Sequence, residues 1–283
     1  MTPGKIAVRG GDLYTETFAP AGTPKGVVLL SHGYMEHCGR YHELASVITK
    51  AGWAVMTYDV RGHGKSFGRR GYVDRFDDYL DDLRTVLAQA RTLAPGAPAV
   101  LLGHSHGSLI TLRALCGDSP PEVAAAIVSS PYLAAKLAVP GYKKLAGRIA
   151  SRIAPKLSIP EKLPVTGLTS DPEKQKEHEA DKLCFDLATA RWFTEATAAQ
   201  AYVESHADRI HVPMTWLVGG ADPICDASAS RRVAGKVPGA VYVDFPEMVH
   251  EVFNERGRGR VFTEVEKALD AVAHGAARRP ASA

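Results

Sequence analysis

Short runs that are apolar at every position alternate along the chain with longer segments whose apolar residues fall three and four apart. The runs occupy 26–31, 53–58, 99–102, 125–128, 214–218 and 240–243. A run apolar on both faces suits a strand of a parallel sheet, because successive side chains point to opposite faces and helices cover each. Between the runs, Phe76, Tyr79, Leu83, Val86, Leu87 and Ala90 mark an amphipathic helix with Asp74 as its expected N-cap. Leu44, Val47 and Ile48 mark the helix before it, and Val261, Val265, Leu269 and Val272 mark the last one. Alternating strands and helices predict a doubly wound α/β sheet. Residues 6–18 hold two alternating runs around Gly10-Gly11-Asp12 and predict an antiparallel hairpin, giving a mostly parallel sheet of eight strands.

The rhythm breaks between Tyr132 and Glu195. This stretch carries Pro140, Pro155, Pro160 and Pro164, many basic residues and short helical patterns, and no buried strand is expected in it. It reads as an inserted, mainly helical cap at 132–195, dividing a core of 1–131 and 196–275; the tail 276–283 reads as disordered. Within the cap, Leu133, Leu137, Tyr142, Leu145, Ile149 and Ile153 recur at helical spacing among Lys136, Lys143, Lys144, Arg148, Arg152 and Lys156. Two readings stand: an ordinary amphipathic lid with a solvated basic face, or a lid that docks on anionic lipid surfaces and admits an acyl chain.

A net charge of +3, with no stripe of interleaved basic and aromatic residues, argues against a nucleic-acid binder. The opening residues lack an apolar h-region, so no secretory signal is expected. No run approaches the roughly 18 apolar residues of a membrane span. Cys38, Cys116, Cys184 and Cys225 are scattered without CxxC spacing, so neither a zinc site nor a disulfide framework is expected, and a reduced cytoplasmic protein is.

The chemistry centres on Gly103-His104-Ser105-His106-Gly107. An apolar run precedes Ser105, and a helix marked by Leu109, Ile110, Leu112 and Leu115 follows it. A serine on so sharp a strand-to-helix turn presents its hydroxyl at a helix N-terminus, which favours developing negative charge. A serine hydroxyl is a weak nucleophile without a base, and the base needs an acid to orient it. Asp222 and His250 each follow a predicted strand, in the chain order Ser, Asp, His that this arrangement uses. Asp226 and Asp244 are lesser candidates for the acid, the first as a helix cap and the second inside a strand. Two backbone N–H groups are needed for an oxyanion: one from His106, the other from Tyr34 in the loop after the first run, where Gly33 permits close approach. His104 and His106 lack the further ligands a metal would need, and Arg61-Gly62-His63-Gly64 reads as a tight structural turn. Cys225 reads as an inert buried thiol, although its place beside Asp222 would let oxidation disturb the site.

His32-Gly33-x-x-Glu36-His37-x-x-Arg40-Tyr41 resembles the early loop of the monoacylglycerol lipase and lysophospholipase group of α/β-hydrolases. Asp59-x-Arg61-Gly62-His63-Gly64-x-Ser66 resembles that group's second signature. Gly220-Ala221-Asp222-x-x-Cys225-Asp226 and His250-Glu251-x-Phe253-Asn254-Glu255 resemble the regions bearing its acid and histidine. The resemblance implies an α/β-hydrolase fold and a Ser105–Asp222–His250 triad. It also implies Tyr34 and His106 as oxyanion donors, with His32, Gly33, Glu36 and Arg40 in the substrate-binding loop. No cofactor or metal is implied, and the substrate is a single-chain lipid ester cleaved through an acyl-enzyme. His106, Ser108 and Tyr34 depart from the group's usual residues, and a bulky Tyr34 is expected to narrow the acyl site. An amidase or aminopeptidase, a general short-chain esterase, and a non-catalytic receptor on the same scaffold are the competing readings.

Overall fold

The computed structural model describes residues 1–136 and 141–277. In chain order the first half contains β1 (Thr2–Val8), β2 (Gly11–Phe18), β3 (Val27–Ser31), α1 (His42–Lys50), β4 (Ala54–Tyr58), α2 (Asp77–Ala90), β5 (Ala99–His104), α3 (His106–Leu115) and β6 (Ala125–Ser129). An insertion follows with α4 (Gly141–Ile153), β7 (Ser158–Pro160), α5 (Val165–Leu168), α6 (Pro172–Ala180), β8 (Leu187–Thr189) and α7 (Ala190–His206). The chain then returns through β9 (Met214–Gly219), α8 (Ala227–Ala234), β10 (Val241–Phe245) and α9 (Arg258–Ala277).

Eight strands form one sheet in the order β1-β2-β4-β3-β5-β6-β9-β10. The pairs β1–β2 and β2–β4 are antiparallel and the rest are parallel. The α/β-hydrolase architecture expected from the sequence is thus present, helical cap included. The apolar runs of the inner strands have the physical cause read from them; the run at 240–243 does not, because β10 is an edge strand that leaves Val241 55% exposed and Tyr242 and Val243 half-exposed. Leu29 and Leu101 enter the core on one face, with α2, α3 and α7. Their neighbours Val28, Leu30, Val100 and Leu102 enter the core on the other, with α1 and α9. Every position in these strands is buried on one side or the other.

Several details differ from expectation. The hairpin turn sits one residue early, at Arg9–Gly10, because Gly11 and Asp12 already pair with Val8 and Ala7. Asp74 does not cap α2; its carboxylate accepts from the Tyr72 hydroxyl. Instead Glu195 of α7 accepts from the Phe76 N–H at 2.9 Å, so a residue distant in sequence satisfies the orphan donor. The insertion also contains a short antiparallel pair, β7–β8, whose side chains are mostly half-exposed or exposed, and which apolar patterning therefore does not reveal. The expected boundary at 195 falls inside α7, and α9 runs to Ala277, past the expected core end at 275. Leu137, Pro140 and tail residues 278–283 lie outside the described residues, as do the side chains of Lys143 and Lys144.

The insertion is fastened to the loops that follow the sheet. Ala135 forms an isolated bridge with Cys225, Asp226 N–H donates to Ala134 C=O, and Glu251 N–H donates to Leu168 C=O. Asp181 bonds to His37 Nε2 at 2.6 Å.

Candidate active site

Because β3, β5, β9 and β10 run parallel, the loops that leave their C-terminal ends share one edge of the sheet. Tyr34, Ser105, Asp222 and His250 all lie in those loops.

Ser105 joins β5 to α3 with φ 50° and ψ −110°. A residue with a Cβ enters such a conformation only where its surroundings hold it there. Ser105 N–H donates to Ser129 C=O at 2.9 Å, and Ser105 C=O accepts from the N–H groups of Leu109 and Tyr132, each at 3.1 Å. The flanking glycines give the turn its room. A Cβ on Gly107 would collide with the Ser31 carbonyl, and one on Gly103 would lie 2.6 Å from the Gly107 oxygen. Ser108 adds a clasp that the sequence did not reveal: its hydroxyl donates to Gly103 C=O at 2.7 Å and accepts from Ser129 N–H at 3.1 Å.

His250 Nε2 lies 3.0 Å from Ser105 Oγ, and His250 Nδ1 lies 2.7 Å from Asp222 Oδ2. An ionised carboxylate only accepts, so the Nδ1 proton is donated to Asp222 and the Nε2 lone pair faces the Ser105 hydroxyl. Asp222 is itself held, its Oδ1 accepting from Ile224 N–H at 2.7 Å and Cys225 N–H at 2.9 Å. All three residues are buried. Burial opposes a charge on His250, but the Asp222 carboxylate outweighs burial and raises the imidazole well above 6.5. Burial pushes the Cys225 thiol up, which keeps it protonated. The lesser acids are engaged elsewhere: Asp226 caps α8 through Ser228 N–H at 2.9 Å, and Asp244 pairs with Arg231 at 2.7 Å.

The loop after β3 is built around Arg40. Its guanidinium bridges Glu36 at 2.7 Å and binds Glu251 through both nitrogens at 2.6 and 2.7 Å. Glu36 also accepts from Gly33 N–H at 2.6 Å and from the Tyr41 hydroxyl at 2.5 Å. Burial works against the Glu251 charge, yet Arg40 holds that carboxyl well below the ordinary range. His32 is fully buried, with Nε2 accepting from Val60 N–H at 2.9 Å. The side chains of His32, Glu36 and Arg40 all hydrogen-bond within the protein and brace the shape of the loop. This leaves the backbone N–H groups of Tyr34 and His106; among the described residues neither donates to a protein acceptor. The Tyr34 ring stacks on Trp192 at 3.6 Å, and its hydroxyl donates to Gly71 C=O at 3.0 Å. Arg61 pairs with Asp82 through two nitrogens, each at 2.6 Å, and Asp59 accepts from Lys65 N–H at 2.6 Å, both as a structural turn requires.

A serine, imidazole and carboxylate in hydrogen-bonded line, on the C-terminal edge of a doubly wound sheet, define the α/β-hydrolase class. The family model described as serine aminopeptidase, S33, matches residues 22–257, and the chain belongs to this family. Monoacylglycerol lipase from Mycolicibacterium smegmatis is 29% identical over 261 residues, covering 91% of this chain and 92% of that protein. The monoglyceride lipase homolog of Monkeypox virus is 32% identical over 219 residues, covering 77% and 78%. Among solved structures, the monoacylglycerol lipase of Paleococcus ferrophilus superposes with a TM-score of 0.81 at 28% identity, covering 93% of this chain and 98% of that one. These likenesses agree with the group suggested by the sequence motifs.

Two outcomes follow from the electrostatics. Only neutral His250 can take a proton, so activity rises as pH climbs through its raised pKa. The acidic limb of kcat/KM is expected above 6.5, and Asp222→Asn should move that limb to lower pH while lowering the plateau. A limb that stays in place in Asp222→Asn excludes this assignment. Removing Arg40 strands two buried carboxylates, so Arg40→Ala should cost about 3–5 kcal/mol in urea unfolding near neutral pH. The depressed Glu251 carboxyl contributes stability above the ordinary carboxylate range and loses it as pH falls through its folded value. The deficit of Arg40→Ala should therefore shrink in acid. Equal unfolding midpoints across that range would exclude the role.

Proposed function

We propose that this protein is a serine ester hydrolase that cleaves single-chain lipid esters of the monoacylglycerol or lysophospholipid type through an acyl-enzyme on Ser105. The observation that carries the reading is the unbroken line from Ser105 Oγ through His250 to Asp222. In the first half-reaction Ser105 Oγ attacks the ester carbonyl and His250 Nε2 takes its proton. Asp222 steadies the resulting imidazolium. The Tyr34 and His106 amides bind the negative oxygen of the tetrahedral intermediate, each such donor being worth about 10²–10³ in rate. The intermediate collapses, the alcohol departs with the proton from His250, and the acyl group stays on Ser105. Water then repeats the sequence and releases the fatty acid.

The family's description also names peptide chemistry, and an aminopeptidase must grip a substrate ammonium with a free carboxylate. The buried carboxylates beside the oxyanion loop are engaged within the protein, Glu36 and Glu251 by Arg40 and Asp59 by the N–H groups of Cys38 and Lys65, which favours the ester.

The segment 132–195 serves in this reading as a cap over the site, and α4 is the part that meets lipid. Tyr142, Leu145, Ile149 and Ile153 project from α4 with 71%, 59%, 51% and 80% of their surfaces exposed, and Leu157 and Ile159 continue the apolar strip. An exposed strip of this kind on a helix that also carries Arg148 and Arg152, with Lys156 just beyond it, fits the interface of an anionic membrane. No helix among the described residues is long and apolar enough to cross a membrane, so contact would be peripheral. The four free thiols support a reducing, cytoplasmic setting.

Ser105→Ala should abolish turnover of monoacylglycerols and lysophospholipids and abolish labelling by a fluorophosphonate, with the fold intact by circular dichroism. Retained hydrolysis would refute the nucleophile, and a chain that labels no fluorophosphonate would point to the receptor reading. For the cap, Ile149→Glu should weaken flotation with phosphatidylglycerol vesicles and slow hydrolysis of emulsified lipid while sparing a soluble short-chain ester. Wild-type binding indifferent to anionic lipid and to salt would sink the docking role.

A further inference from the structure

The chain has three tryptophans, and two behave as fillers. The indole N–H groups of Trp53 and Trp216 are buried without a partner among the described residues. Trp192 differs. Its Nε1–H donates to His106 Nε2 at 3.3 Å, and its ring stacks on Tyr34 with centroids 3.6 Å apart and planes at 15°. One side chain of the insertion therefore holds both residues whose amides face the proposed oxyanion.

We propose that Trp192 is a positioning residue that sets the two oxyanion amides from the cap side. The inference rests on the triad reading above. Trp192 lies in the first turn of α7, where Thr189 Oγ1 accepts its backbone N–H at 3.3 Å. The same hydroxyl donates to Gly71 C=O at 2.6 Å, the carbonyl that also accepts from the Tyr34 hydroxyl. The Tyr132 ring lies nearly parallel to the indole at 5.9 Å, and Tyr132 N–H donates to the Ser105 carbonyl. Three backbone segments around the nucleophile thus meet at one indole.

The tautomers agree with this arrangement. An indole N–H only donates, so His106 Nε2 carries a lone pair in this contact and the neutral ring carries its proton on Nδ1, which is buried without a partner among the described residues and leaves the indole as the ring's one polar anchor there. Burial, with His63 nearby, pushes His106 well below 6.5, which agrees with the neutral ring. Rotation of the His106 ring would pull on the residue whose amide begins α3. Tilting of the Tyr34 ring would shift the other donor. Oxyanion stabilisation depends steeply on donor placement, so losing the indole should reduce the rate of acyl transfer with little change in ground-state binding.

The test uses full-length enzyme, counted by fluorophosphonate titration, and a soluble p-nitrophenyl butyrate substrate. Trp192→Phe keeps an aromatic ring against Tyr34 and removes the N–H together with part of the indole's packing volume, a packing loss that the His106→Leu background below separates from the loss of the hydrogen bond. It should lower kcat about 3–10-fold, a fraction of one oxyanion donor, with KM within about twofold. Affinity for a trifluoromethyl ketone, whose hemiketal oxygen occupies the same hole, should fall by the same factor as kcat. Trp192→Ala removes both contacts and should lose more. In a His106→Leu background, which keeps the amide but not the ring acceptor, Trp192→Phe should change kcat by less than about twofold, because the link is already gone. An unmoved kcat in Trp192→Phe, a loss confined to KM, or an equal loss in the His106→Leu background overturns the proposal while leaving the triad standing. Undiminished turnover in Ser105→Ala overturns the triad, and this proposal with it.

Discussion

A single guanidinium joins the two halves of this site. Arg40 lies in the loop after β3, which carries Tyr34, and grips Glu251, the residue after His250. Those loops belong to strands separated by β5, β6 and β9 in the sheet, and nothing in their local sequences would fix their spacing. Three largely buried charges are costly to desolvate and repay that only when geometry is near ideal, so the network tolerates little slack. Through Glu36 it also holds the Gly33 N–H, one residue before the Tyr34 donor. In the proposed mechanism, the spacing between the oxyanion and the base would thereby be set by this buried charge network.

The insertion is tied into the same frame. It is bonded to the acid loop through Ala134 and Ala135, to the histidine loop through Leu168, and to the oxyanion loop through Asp181 and Trp192. Its inner side is therefore braced against the chemistry. The outer face of α4, by contrast, leaves large apolar side chains in water. Such a division suits a part that must keep its inner contacts while its outer surface meets varied lipid.

Much of this was legible in the sequence because the signals are local. An apolar run buried on both faces, a glycine-flanked serine between strand and helix, and an aspartate and histidine each following a strand all have short-range physical causes. The positions where reading failed depend on long-range partners. Asp74 is a sound cap by type, but Glu195, more than a hundred residues away, supplies the acceptor for α2. The hydrogen bonds that brace the loop after β3 are likewise partly long-range: Val60 N–H engages His32 and Glu251 engages Arg40, while Glu36 bonds within its own loop to Gly33, Arg40 and Tyr41. Trp192 gave no signal: in an amphipathic helix a tryptophan looks like core, and only the fold shows what its N–H meets. Strands β7 and β8 escaped because short, half-exposed strands carry no continuous apolar run.

The backbone of Ser105 has a consequence for how this chain can change over time. A left-handed φ on a residue with a Cβ is a standing conformational cost, on the order of 1–3 kcal/mol, met by hydrogen bonds from β6, α3 and the segment leading into the insertion. Glycine would relax that turn and remove the nucleophile together. Descendants released from selection for turnover therefore have an easy route to a sturdier but inert protein. Persistence of serine at this position, against a continuing pull toward stability, would be the mark of a lineage that still uses the reaction.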